Sequence, residues 1–259
     1  MIPKKIHYIW LGKNSYPNLM DICINSWREK LPDYEIIEWN EENLNFYEEI
    51  EKNRFLKECY NRKLWAFLSD YFRIKVLYEE GGVYLDTDMQ IIKNIDKLLS
   101  NDFFIGAESE KVISAGIIGV IPKHPLMKKI LEFYSVAIWN EPIFTIPDII
   151  TRVINREYDF QINEDITKIT GSMAIYPPRY FYPYHFTEEF KRECIKDDTY
   201  GIHWWGKSWT QKKNLSKLYF LEFKHYRGYK KILVEILIAT GLMRFVKNSK
   251  FLVDLSKRI

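Results

Sequence analysis

Leu68-Ser69-Asp70-Tyr71-Phe72-Arg73, continued after one more helical turn or two by Gly81-Gly82-Val83-Tyr84-Leu85-Asp86-Thr87-Asp88, is the stretch from which the fold is read. Leu64, Phe67, Leu68, Tyr71, Phe72, Ile74, Val76, Leu77 and Tyr78 recur at the spacing of a helix with a wide apolar face. Gly81-Gly82 is expected to end that helix, because glycine readily takes the left-handed conformation of a C-cap. Val83-Tyr84-Leu85 is β-branched and aromatic and predicts a short buried strand. Asp86 and Asp88 then fall at the C-terminal edge of that strand, the edge at which open α/β sheets bind ligands. In a regular strand residues i and i+2 share a face, so both carboxylates could address one ion. Unpaired carboxylates are costly to bury, and Mn²⁺ or Mg²⁺, which prefer oxygen ligands, would relieve that cost. The plain alternative for a bare Asp-x-Asp is a solvated turn after a strand.

Upstream, Lys5-Ile6-His7-Tyr8-Ile9-Trp10-Leu11 alternates and stops at Gly12, predicting a first strand with Trp10 at its C-terminal edge. His7 lies in the strand interior and reads as a satisfied core histidine. Asn18 to Leu31 reads as a helix and Tyr34 to Trp39 as a second strand, which together make the βαβ opening of a nucleotide-binding sheet. No GxGxxG or GxxxxGK[ST] follows the first strand, so a dinucleotide fold and a P-loop are not expected. Asn40 to Arg62 reads as a charged pair of helices. Asp70 and Arg73 share a helix face; as an exposed ion pair they would contribute little, but they stand among Phe67, Leu68, Tyr71 and Phe72.

Three blocks carry a resemblance. Ile2-Pro3-Lys4-Lys5-Ile6-His7-Tyr8-Ile9-Trp10-Leu11-Gly12 resembles the opening strand, and Ser69-Asp70-x-x-Arg73 with Leu77-Tyr78-x-x-Gly81-Gly82-Val83-Tyr84-Leu85-Asp86-x-Asp88 the central motif, of the DXD-containing retaining glycosyltransferases. His203-Trp204-Trp205-Gly206-Lys207-Ser208-Trp209 resembles their closing loop. The relatives meant are the capsular-polysaccharide and α-mannosyl/α-galactosyltransferase group, glycosyltransferase family 32, and the glucosylating domain of large clostridial toxins.

The resemblance implies a GT-A-like α/β domain with a mixed central sheet flanked by helices. It implies transfer of a hexose from a nucleoside-diphosphate sugar to an acceptor hydroxyl, on a glycan or lipid-linked oligosaccharide. Asp70 and Arg73 would hold the donor sugar as the catalytic pair. Asp86, Asp88 and His203 would bind Mn²⁺ or Mg²⁺. Ile9, Trp10, Ser69, Tyr84, Asp86, Ser114, Ala115, Asp148, Lys207, Ser208 and Trp209 would line the substrate. Trp10 would stack on the base, the alternative being a core tryptophan. Ser114-Ala115-Gly116 would form a wall of the site, small residues letting a ligand approach the backbone. Lys207, Ser208 and Trp209 would meet the diphosphate, in a loop that otherwise reads as an aromatic cap on the core. At Thr145-Ile146-Pro147-Asp148 the chain departs from the Thr-Gly-Pro of many relatives. Asp148 either sits beneath the anomeric carbon or meets a helix dipole as an N-terminal carboxylate. A protein-glycosylating effector and a non-catalytic nucleotide-sugar or glycan-binding module are the competing readings.

Composition sets the bounds. The 259 residues, 47% apolar and 28% charged, suffice for one sizeable core. Cys23, Cys59 and Cys194 are odd in number and widely spaced, which argues against a disulfide framework or a zinc site and suits a reducing cytoplasm. No signal peptide or membrane-spanning run is read. Residues 212–259 hold 12 Lys or Arg against three acids, leaving residues 1–211 with 26 basic against 32 acidic side chains. The expected division is a catalytic domain over 1–211 and a basic amphipathic helical tail over 212–259. Such a tail suits an anionic membrane surface, which would make the chain peripheral on the inner face of the membrane. Packing against the domain is the alternative. No nucleic-acid module is recognisable, and no such partner is expected.

Overall fold

The computed structural model describes residues 1–13, 15–206 and 215–243. The chain opens as β1 (Lys5–Ile9), α1 (Asn18–Lys30) and β2 (Glu35–Trp39), with β1 and β2 parallel in the register Lys5 to Glu35 through Ile9 to Trp39. This is the βαβ unit expected. His7 is fully buried and satisfied at both nitrogens. Trp39 Nε1 donates to its Nδ1 at 3.0 Å, which leaves Nε2–H to donate to the Gly81 carbonyl at 2.8 Å. Two short helices follow, α2 (Phe46–Lys52) and α3 (Arg54–Asn61), the second capped by the Asn53 side chain on the amides of Phe55 and Leu56.

α4 (Trp65–Glu80) then buries nearly its whole middle, from Phe67 to Leu77, Asp70 and Arg73 included. The Gly81 amide closes it on the Leu77 carbonyl at 3.0 Å, but φ 65° and ψ −163° put Gly81 outside the left-handed helical region expected of a C-cap. That corner of backbone space is essentially open to glycine alone. Gly82 follows at φ +98°, and a Cβ there would stand 2.7 Å from His7 Nε2. The glycine pair thus serves a sharp reversal into the sheet and a close approach to β1.

Then come β3 (Gly82–Leu85), β4 (Met89–Ile91), β5 (Phe103–Ala107), β6 (Ile113–Val120), α5 (Pro125–Ser135), α6 (Ile146–Glu157), β7 (Thr167–Thr170), β8 (Met173–Tyr176), β9 (Gly201–His203), α7 (Leu215–Phe223) and α8 (Gly228–Ala239). Seven strands form one mixed sheet in the order β2-β1-β3-β6-β5-β8-β7, and β4 pairs with β9 in a separate ribbon. β3 lies parallel to β1 and antiparallel to β6. β7, an edge strand of sequence Thr-Lys-Ile-Thr, carries too weak an apolar signal to have been expected. α6 begins at Ile146, three residues before its apolar run, because Pro147 is tolerated in a first turn.

Apolar side chains pack on both sheet faces. One cluster joins α2 to α6 with Leu218 and Leu221 of α7; the other joins α1 with Met89, Ile91 and the aromatic loop Phe181-Tyr182. The basic segment is therefore partly built into the domain: Lys224 Nζ donates to the carbonyls of Glu141 and Ile143 at 2.7 and 2.8 Å. α8 keeps Tyr229, Ile232 and Ile236 exposed. Among the described residues no helix is long and apolar enough to cross a membrane.

Candidate active site

Two strand ends and one ribbon converge on the acids. β3 stops at Leu85, so Asp86 and Asp88 do not alternate along a strand as expected. They occupy the turn between β3 and β4, and what brings them together is hydrogen bonding outside the pleat. The Asp86 amide donates to the Gly116 carbonyl at 2.9 Å, and the Met89 amide back to the Asp86 carbonyl at 2.9 Å. β4 pairs with β9 in the register Met89 to His203, and the Trp204 amide donates to the Asp88 carbonyl at 3.0 Å. Asp88 and His203, 115 positions apart, are thus bridged by a three-residue ribbon.

His203 Nε2 lies 3.1 Å from Asp88 Oδ1 and 3.8 Å from Asp86 Oδ2. One ligand atom from each of Asp86, Asp88 and His203 falls within 4.8 Å of the others. The Gly206 amide donates to Asp88 Oδ2 at 2.7 Å. Burial alone would depress the His203 imidazole, but the charges and hydrogen bonds of Asp88 and Asp86 outweigh it and hold it up at about 9. Burial works against the Asp88 carboxylate too, yet His203 and the Gly206 amide keep it below its ordinary range. Two carboxylates and an imidazole, oxygen-rich with one borderline nitrogen, fit Mn²⁺ or Mg²⁺ better than a thiophilic metal.

The Asp70–Arg73 pair stands on the other side of Asp86 and is buried, not exposed. Arg73 donates to Asp70 Oδ1 at 2.8 Å and to the Ala115 carbonyl at 2.9 Å, and meets Asp86 Oδ1 at 3.0 Å. Its guanidinium also lies 4.5 Å from the Tyr84 ring centroid. Asp86 therefore has one oxygen toward Arg73 and the other toward His203. Burial pushes the Asp70 carboxyl up to about 7, Arg73 opposing and Asp86 assisting. The Tyr84 hydroxyl donates to Asp86 Oδ1 at 3.1 Å.

Other expected residues divide. Ser114 is buried and Ala115 supplies the carbonyl just described. Ser69 is half-buried on α4, one residue before Asp70. Ile9 is buried in the core at the end of β1, and Trp10, half-buried just beyond, meets the Tyr16 ring edge-on at 5.5 Å. Asp148 is exposed in the first turn of α6 and accepts from the Thr145 hydroxyl, the helix-terminal role of its two readings. Lys207, Ser208 and Trp209 lie outside the described residues.

Two residues near the site, Tyr182 and Glu108, were not singled out from sequence, and Gly116 was read there only as part of the small-residue wall. The Tyr182 hydroxyl is buried and makes no well-formed hydrogen bond, although Ser114 and the Ile117 backbone lie near enough to bias it. A Cβ on Gly116 would come within 2.9 Å of that hydroxyl, 3.3 Å of Asp86 Oδ2 and 3.3 Å of His203 Cδ2, so glycine keeps this point open. Glu108, at the end of the β5–β6 hairpin, feels the charges of His203, His185 and Asp148, and burial raises its carboxyl. The only signal for Tyr182 was its place in the aromatic run Tyr180-Phe181-Tyr182; Glu108 had none.

Residues 17–105 match the family described as glycosyltransferase sugar-binding region containing DXD motif. The chain is 29% identical over 157 residues to the alpha-1,4-N-acetylglucosaminyltransferase of Homo sapiens, covering 55% of this chain and 43% of that enzyme. It is 24% identical over 231 residues to an uncharacterized glycosyltransferase of Acanthamoeba polyphaga mimivirus, covering 85% and 88%. The chain spans less than half the length of the human enzyme and 42% of a lactosylceramide 4-alpha-galactosyltransferase of Rattus norvegicus. The structure of the PaToxG glycosyltransferase superposes with a TM-score of 0.50 at 17% identity, covering 60% of this chain and 69% of that one. The chain thus carries a DXD-containing glycosyltransferase region on a GT-A-like α/β fold.

Proposed function

We propose that this chain is a metal-dependent retaining glycosyltransferase that moves a hexose from a nucleoside-diphosphate sugar to an acceptor hydroxyl. The observation that carries the reading is the convergence of Asp86, Asp88 and His203 within 4.8 Å beside a buried Asp70–Arg73 pair. A divalent cation held by Asp86, Asp88 and His203 would supply Lewis-acid stabilisation of the diphosphate leaving group. Arg73, locked between Asp70, Asp86 and Ala115, presents a fixed positive charge on the same side and needs no reorganisation as charge develops. Asp70 accepts from donor-sugar hydroxyls and holds the guanidinium in place. Ser69, Tyr84, Ser114 and Ala115 wall the donor, and Trp10 at the β1 edge faces the base. Among the described residues, Asp70 is tied to Arg73, and Asp86 to Arg73 and His203, so neither is free to act as a strong nucleophile. This favours front-face transfer, in which the departing phosphate takes the acceptor proton.

The acceptor in this reading is a growing polysaccharide or a lipid-linked oligosaccharide. The exposed Tyr229, Ile232 and Ile236 of α8, beside Lys230 and Lys231, support contact with an anionic membrane surface. The test is to incubate the full chain with a panel of sugar nucleotides and Mn²⁺ and follow release of the nucleoside diphosphate. Turnover with one donor, abolished by EDTA and by Asp86→Ala with Asp88→Ala, is expected. Glycan binding without turnover in the unmutated chain would replace the enzyme with a binding module.

A further inference from the structure

Each carboxylate of the cation site is half engaged by the protein itself. On Asp86, Oδ1 meets the Arg73 guanidinium at 3.0 Å and accepts from the Tyr84 hydroxyl at 3.1 Å. On Asp88, Oδ2 accepts from the Gly206 amide at 2.7 Å. The other two oxygens, Asp86 Oδ2 and Asp88 Oδ1, are the ones that turn toward His203 Nε2, at 3.8 and 3.1 Å. Each acid thus keeps one oxygen for the protein and offers the other. A cation among these side chains meets three ligand atoms, one from each. The positive charge of Arg73 beside Asp86 Oδ1 also repels a cation from that oxygen, which reinforces the division.

The two acids are held by different means. Asp88 is held at Oδ2 by a backbone amide, whereas Asp86 is held at Oδ1 by side chains. One of these, Arg73, is divided among Asp70, the Ala115 carbonyl and Asp86. The other is Tyr84 of β3, two positions before Asp86 and 2% exposed, its ring covered by the Arg73 guanidinium at 4.5 Å. A buried phenol needs a partner for its hydroxyl, and here that partner is the carboxylate placed to bind the metal. We infer that Tyr84 is a positioning residue of the cation site: its hydroxyl fixes the rotation of the Asp86 carboxylate so that Oδ2 faces the ion. It acts on the cation through Asp86, without touching it. The inference rests on the cation-dependent reading and gives Tyr84 a role there beyond walling the donor. Partners standing behind metal ligands change affinity by about ten- to a hundredfold when removed. Without the hydroxyl, Asp86 Oδ1 is left to Arg73, and a carboxylate beside a guanidinium turns toward a two-bond fork. That rotation withdraws Oδ2 from His203. The loss matters most for a small ion that demands near-octahedral geometry, and least for Ca²⁺, which accepts irregular and bidentate ligand sets.

The test titrates the full chain, without nucleotide, with Mn²⁺ read by electron paramagnetic resonance of the free ion, and with Ca²⁺ read by displacement of Mn²⁺. The unmutated chain is expected to bind both. Tyr84→Phe removes one oxygen and leaves every charge in place. It is expected to weaken Mn²⁺ about tenfold and Ca²⁺ by less than about threefold, so that the preference for Mn²⁺ falls. Tyr34→Phe, which breaks a hydroxyl–carboxylate bond to Asp96 outside the site, is expected to change neither. Circular dichroism and metal-free melts confirm that the variants fold; if Tyr84→Phe does not, Tyr84→Met takes its place, flexible enough to fill the space. Unchanged Mn²⁺ affinity in the variant overturns the inference. So does an equal loss for both ions, which marks a general loosening of the site. Failure of the cation reading is distinct: the unmutated chain then binds neither ion, and the inference falls with it.

Discussion

At the scale of single residues, the site is held by charges that cannot be swapped for similar ones. Arg73 uses its planar fork on three partners at once, in a buried setting where a single ammonium reaches fewer of them. Arg73→Lys is expected to cost about 2–4 kcal/mol of stability, because Asp70 loses its partner in the interior. It is also expected to lower kcat/KM for the donor about a hundredfold; urea unfolding and nucleotide-release kinetics read the two effects. Tyr182 offers the opposite sign. A buried hydroxyl with no well-formed hydrogen bond contributes little to folding and costs its desolvation. Tyr182→Phe should therefore leave stability unchanged or raise it by about 1 kcal/mol. If the hydroxyl serves a ligand, the same variant raises the donor KM; an unchanged KM would show it to be a core group only. Asp70 and Arg73 were legible because two charges sat inside an apolar stripe. Tyr182 was not, because an aromatic among aromatics has no charge to explain.

At the scale of elements, the reversal from α4 into β3 decides where the acids go. Gly119 of β6 faces Val83 of β3, and a Cβ there would meet Phe104 Cε1 at 2.0 Å. Gly119→Ala must displace a buried ring and is expected to cost about 2–3 kcal/mol, read as a lower denaturation midpoint at constant m-value. β1 makes a pH prediction. Burial lowers His7 to about 4 from an ordinary 6.5, the Gly81 hydrogen bond opposing. Between those values the unfolded chain takes up a proton that the folded chain refuses, so stability falls as the pH drops through that window. The loss amounts to about 3 kcal/mol when complete, at about 1.4 per pH unit. Urea titrations of the unmutated chain and of His7→Gln should differ in this slope; parallel curves would place the acid sensitivity elsewhere. Strand β3 and helix α4 were readable from local pattern, whereas β7 was not, its alternation being too short and polar to stand out.

At the scale of the whole molecule, the cation site joins a turn in the first third of the chain to a ribbon in the last. A ligand that binds only this assembled form should stabilise the fold. Mn²⁺ in excess is expected to raise the Tm of the unmutated chain by several degrees, on the order of 2–3 kcal/mol of linkage at a hundred times the Kd. Asp86→Asn with Asp88→Asn should show no such shift in a thermal melt. What the sequence by itself determined was local: the βαβ opening, the apolar face of α4, the glycine reversal, the buried strand before the acids and the pairing of Asp70 with Arg73 on one helix face. Each is a matter of spacing, propensity or charge within a few residues. Tertiary structure alone decided that the two acids sit in a turn and not along a strand, that His203 reaches them, and that Tyr182 and Trp205 pack against that histidine. Those placements depend on β6 running antiparallel to β3 and on β9 returning to β4, pairings between segments far apart in the chain. A hydrogen-bond ladder between distant strands leaves no periodicity in either one that names its partner.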